Sequence, residues 1–157
     1  MNEIVNRLQQ SVSVERTFAE YCACVAETVS IDQAGLAQLT PDGQQFEVIA
    51  QWERGGNPQG NAEERGNTAA SPARRFDRAG TVGDFVLRKG EIFVGPTIDA
   101  VRSFPATSES LARNDFKSNY VAPLSDGTGR VVYLLSRQAG ALAHESTAQI
   151  AGSLGHL

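Results

Sequence analysis

Cysteine, histidine and long apolar runs are what this 157-residue chain has least of. Its two cysteines, Cys22 and Cys24, stand two apart in a stretch with helical spacing. Side chains so placed on a helix point in different directions and do not readily share a disulfide or a metal ion. Zinc sites want C-x2-C pairs with partners elsewhere, and the two histidines, His144 and His156, lie far down the chain. No metal is expected. No apolar run approaches the roughly 20 residues that cross a bilayer. The first residues, Met1 to Arg7, hold no basic segment followed by an apolar one, so a secretory leader is not expected and a cytoplasmic location is. The net charge of −4 leaves no basic excess for nucleic acid and little to attract an anionic membrane. Signatures of catalysis are also missing: there is no Gly-x-Ser-x-Gly, no His-Glu-x-x-His and no phosphate loop. His144-Glu145-Ser146 sets three reactive side chains in a row, but neighbours on a helix point apart, so they form no triad.

What is present is a globular balance, 41% apolar and 20% charged, enough for one domain spanning 1–157. Ile4, Val5 and Leu8 have helical spacing, and Ser11 and Ser13 interrupt it. Residues 1–13 read as an N-terminal linker or dimer helix, with Ser13 capping a second helix. The stripe of that helix is Val14, Phe18, Cys22, Val25 and Val29, which makes Cys22 a small core residue. Ala34 to Thr40 and the alternating Phe46, Val48, Ala50 and Trp52 read as strands joined by Pro41-Asp42-Gly43, a hairpin turn. Residues 53–79 are rich in glycine, asparagine, arginine and glutamate, with Gly55-Gly56, Asn57-Pro58 and Ser71-Pro72 as breakers. This is expected to be a long mobile loop.

Thr81 and Asp84 have capping-box spacing, and Gly90 is placed to end the helix they begin. Glu91 to Gly95 reads as a strand and Ser108 as the cap of a short helix. Ser118 to Leu124 and Arg130 to Ser136 read as a second hairpin, the latter strand apolar on both faces and therefore central. A last helix is expected from Gly140, with Leu142, Ile150 and Leu154 on its apolar side. Hairpins imply an antiparallel sheet and an α+β class.

This order, with its local sequences, resembles the GAF family of sensory domains. The likeness rests on Ile31 to Leu39, on Gly80 to Glu91 with Pro96-Thr97-Ile98-Asp99, on Ser118-Asn119-Tyr120-Val121-Ala122-Pro123-Leu124, and on the last strand with its terminal helix. It covers nearly the whole chain. The resemblance implies a GAF- or PAS-like antiparallel sheet with terminal helices packed on one face and a ligand pocket on the other. Family members commonly precede histidine kinases, cyclases, phosphodiesterases and transcription regulators, and often dimerise through terminal helices. Bilin-binding members attach pigment through a cysteine in the later half, where this chain has none, so covalent bilin is not expected. Members that reduce free methionine sulfoxide use pocket cysteines, whereas Cys22 and Cys24 fall in the first helix. Haem-binding members need a pocket histidine, and both histidines here fall in the last helix. The Asn-Lys-Phe-Asp-Glu pattern of cyclic-nucleotide binders is not matched by Asn114-Asp115-Phe116-Lys117.

The implied pocket draws in Phe76, Phe85, Phe104, Phe116, Tyr120 and Tyr133, each of which either lines it or packs as core. Asp99 and Arg102 either orient a polar ligand or pair on the surface. Arg74, Arg75 and Arg78 precede a helix start that suits an anion, or form a solvated cluster balanced by Glu63, Glu64 and Asp77. The expectation is a non-enzymatic sensor of an unidentified small molecule. It would be a homodimer relaying its signal through terminal helices to a fused or separate output domain, such as a histidine kinase, cyclase or transcription regulator. The rival is a ligand-free dimerisation or protein-contact module, and a thiol-dependent reductase stands third.

Overall fold

The stripe that begins at Val14 belongs to a single helix, α1 (Glu3–Ala26). Ser13 lies inside it and not at the start of a second helix, contrary to expectation. A serine in a helix interior costs only about 0.5 kcal/mol relative to alanine, so two of them do not break a run that packing supports. This is a computed structural model that describes residues 3–55, 74–124 and 127–143, with side chains from residue 14 onward. Residues 140–143 form a turn and bends and not the helix start expected at Gly140; the chain beyond Ala143, the body of the long loop (56–73) and the side chains of Ile4, Val5 and Leu8 lie outside the described residues.

Six strands follow in one antiparallel sheet: β1 (Gln33–Leu39), β2 (Gln45–Glu53), β3 (Arg75–Asp77), β4 (Phe93–Gly95), β5 (Ser118–Pro123) and β6 (Arg130–Ser136). Their spatial order is β3-β2-β1-β6-β5-β4, which makes β1 and β6 central. Pro41-Asp42-Gly43 turns β1 into β2, with Gly43 at φ 72°. The Asp42 carboxylate accepts from the Gln44 amide at 3.0 Å and from the Thr40 hydroxyl. These bonds hold the Asp42 carboxyl below its ordinary range, the Thr40 hydroxyl contributing most. Residues 75–77, which the sequence places in the long loop, form β3 instead and put Phe76 opposite Phe46.

Two helices cover the other face: α2 (Val82–Lys89) and α3 (Pro105–Arg113). Thr81 caps α2 by accepting from the Asp84 amide at 3.1 Å, and Gly90 ends it at φ 67°. Only half of a capping box forms, because the Asp84 carboxylate faces Arg78 at 2.7 Å and Arg88 at 3.0 Å. Arg78 also donates to the Gly43 carbonyl at 2.9 Å, tying the first hairpin turn to α2. Helix α3 begins at Pro105, not at Ser108; proline at the first position lacks only an N–H that would be unpaired there anyway. The Thr107 hydroxyl accepts from the Val82 amide at 3.0 Å and joins the two helices.

Strand alternation divides the apolar residues into two cores. Phe18, Tyr21, Cys22 and Val25 of α1 pack with Leu36, Tyr120, Val132 and Leu134 on one face. Val82, Val86 and Leu111 pack with Ala37, Phe46, Val121 and Val131 on the other. After β6 the chain returns to the α1 face, where Leu142 is fully buried.

The α1 core holds three weak acids. Burial pushes the Cys22 thiol from an ordinary 9.0 up to about 12 and the Tyr120 phenol up to about 12, and it raises Tyr21 as well. The unfolded thiol ionises first, so this contribution to stability is complete below pH 9 and disappears as pH rises towards 12. Urea unfolding is therefore expected to show a steady midpoint from pH 7 to 8.5 and a decline above pH 9, shallower in Cys22→Ala. A profile that stays flat to pH 11 contradicts this burial.

Candidate functional site

The sheet face opposite α1 carries a cavity of about 540 Å³. Register sets its floor in ranks that run across the strands. One rank is Gly95, Asn119, Leu135, Gln33 and Glu53, from β4, β5, β6, β1 and β2 in turn. The next is Phe93, Val121, Tyr133, Gly35 and Gln51. Asn119, Leu135, Gln33, Glu53, Val121, Tyr133 and Gln51 all border the cavity. Phe46 and Phe76 close the β2–β3 side, 5.5 Å apart between ring centres. Thr81, Val82 and Gly83 at the start of α2, and α3 with Thr107, Ser110 and Leu111, form the walls.

Two glycines shape this floor. A Cβ on Gly35 would overlap the Tyr133 ring, and a Cβ on Gly95 would overlap the Asn119 amide oxygen. Both side chains therefore lie down across the neighbouring strand instead of standing up from the sheet. Burial raises the Tyr133 phenol, and the Arg74 charge works against that shift.

Asn119 is the anomaly of the site. It is 1% exposed, and both its amide oxygen and its amide nitrogen lack a hydrogen-bond partner among the described residues. A buried polar group left unpaired costs about 1–3 kcal/mol, so the amide is held here against the stability of the empty domain.

The expected site residues divide sharply. Phe76, Phe116 and Tyr133 border the cavity. Phe85 and Phe104 pack with Phe93 in an edge-to-face trio, centres 5.5 to 6.4 Å apart, on the β4 side of the same face. Tyr120 points the other way, into the α1 core. Asp99 and Arg102 pair with each other at 2.7 Å on an exposed 3-10 turn and do not border the cavity. Of the arginine cluster, Arg74 borders the cavity, Arg75 faces Glu47 at 3.8 Å and Arg78 serves the α2 bridge. Asn119, Gln33 and Gln51 were not singled out from sequence; the signal was strand parity, since Asn119 must face away from its neighbour Tyr120. Cys22 lies in the core across the sheet, and Cys24 is exposed on α1.

No protein-family model and no curated protein matches the chain. Solved structures do. The chain is similar to the phycocyanobilin-bound GAF domain of a cyanobacterial phytochrome, at 16% identity and TM-score 0.65, covering 98% of this chain and 86% of that one. It is similar to the GAF domain of a two-component sensor histidine kinase from Bacillus halodurans, at 13% identity and TM-score 0.64, covering 90% and 88%. It is also similar to a type II free methionine-R-sulfoxide reductase from Thermoplasma acidophilum, at 11% identity and TM-score 0.64, covering 92% and 89%. The fold is GAF-like.

Substitutions at three positions test the floor. Gly35→Ala should cost about 1–3 kcal/mol, as overpacking does, and Gly35→Ala/Tyr133→Ala should cost less than the sum of its parts in urea unfolding. Strict additivity would place the ring elsewhere. Asn119→Leu removes both unpaired groups while keeping the branching of the side chain and should stabilise the empty domain by about 1–2 kcal/mol; a loss of stability would mean the amide is already satisfied.

Proposed function

We propose that this GAF-like domain is a sensory module that binds a small molecule in the cavity and passes the signal to α1. The observation that carries the reading is the unpaired, buried Asn119 amide bordering a cavity of about 540 Å³. A pocket of that size matches the range for small-molecule sites, about 300–1,000 Å³. An unsatisfied amide in it gives a ligand something to gain that the empty protein lacks.

The relay follows from strand alternation. Asn119 faces the cavity, while Tyr120, the next residue on β5, lies in the core beneath α1 with Tyr21. A ligand that draws β5 towards itself changes the surface on which α1 rests. It shifts a population only by as much as it prefers one arrangement over the other. In this reading α1 pairs with its counterpart in a homodimer, and the output belongs to a fused or separate partner such as a histidine kinase. The GAF-like neighbours from sensor proteins support such a role. The reading is one of binding, and a thiol-dependent reaction in the cavity is not part of it, because the buried Cys22 thiol lies across the sheet.

The test is a thermal-shift screen of amino acids, organic acids, nucleobases and cyclic nucleotides, with a fluorophore on exposed Cys24 as the reporter of α1. A compound at about a hundred times its dissociation constant stabilises the native state by about 2.7 kcal/mol. The expected result is a hit that raises the melting temperature and changes the Cys24 signal. A hit with no change at Cys24 removes the relay, and a flat screen removes the sensor in favour of a ligand-free dimerisation module.

A further inference from the structure

The unpaired amide also constrains what can bind, and the inference rests on the ligand-binding reading above. An asparagine amide presents an acceptor and a donor side by side in one plane. Its complement presents a donor and an acceptor in the same arrangement. A carboxylate offers acceptors alone and would leave Oδ1 unmatched; an ammonium group offers donors alone and would leave Nδ2 unmatched. We infer that the cavity takes a flat, uncharged ligand with a cis-amide edge, a lactam, imide or primary carboxamide, paired to Asn119.

Three further observations agree. Charge around the cavity is mixed: Glu109 and Arg113 are already paired at 3.1 Å, and Asp77 accepts from Gln45 at 3.1 Å. Glu53 and Arg74, of opposite sign, are exposed where they border it. Nothing in that balance selects an anion or a cation. Shape is the second point. Tyr133 and Asn119 lie against the sheet over Gly35 and Gly95, so the floor is low and flat. Third, Phe76 and Tyr133, both only partly buried, add aromatic surface for a ring to rest on.

The test uses the full chain with isoquinolin-1(2H)-one, uracil and benzamide, set against 2-methylisoquinolin-1-one, 1,3-dimethyluracil and N-methylbenzamide in turn, by titration calorimetry. Methylation keeps the ring and removes the donor of the edge. The expected result is binding of at least one parent compound, weakened at least tenfold on N-methylation. In Asn119→Leu, checked for folding by its melting curve, parent and methylated forms should bind alike. Asn119→Ala serves the same purpose should the leucine variant not fold. Equal binding of parent and methylated compounds to the natural chain overturns the inference, as does a tenfold preference that survives in the variants. Failure of all three parents, while the wider screen finds ligands of other chemistry, overturns the amide edge and leaves the sensor reading standing. Failure of every compound in both experiments overturns both.

Discussion

Strands β1, β6 and β5 must be covered on both faces at once. That demand governs everything else in the molecule. A strand sends alternate side chains to opposite faces, so each residue's parity decides whether it serves the α1 core or the cavity. Asn119 and Tyr120 are adjacent, and one faces each way. A slip of one residue would bury the amide under α1 and put the tyrosine in the cavity. The β5 register that prevents this is held at both ends of its pairing with β6: the Lys117 amide donates to the Ser136 carbonyl at 2.7 Å, and the Leu124 amide to the Arg130 carbonyl at 2.9 Å.

Packing and function pull in different directions on the cavity face. Helices α2 and α3 bury Val82, Val86 and Leu111 well, yet they leave a hollow over β1, β5 and β6. Within it, Gly35 and Gly95 give up strand stability so that Tyr133 and Asn119 can lie flat. The amide at 1% exposure adds a further loss. A domain selected for stability alone would fill the hollow and replace the asparagine. Stability given up at a concave, partly aromatic site is what the proposed ligand-binding role accounts for.

Most of the fold was legible because its signals are local. The turn residues, the Thr81 cap, the Gly90 stop and the doubly apolar β6 each declare themselves within a few positions. Where local signals misled, tertiary packing had prevailed. Ser13 sits inside α1 because the helix is held by its stripe against the sheet, and β3 forms from a loop-like composition because Phe76 pairs across to Phe46. The site was less legible. Aromatic residues attract attention in a sequence, but half of those singled out pack elsewhere: Phe85 and Phe104 around Phe93, Tyr120 under α1. Asn119 sits among apolar strand residues, and its lack of partners is a property of the folded state that no spacing reveals.

The most direct measurement of the central claim is the side-chain amide resonance of Asn119, assigned by NMR and followed as a stabilising ligand is added. The account predicts an NH2 signal at a position typical of an unbonded amide in the empty domain, moving to a hydrogen-bonded position as the ligand saturates. A signal already hydrogen-bonded in the empty domain, or one that a stabilising ligand leaves unmoved, would contradict it.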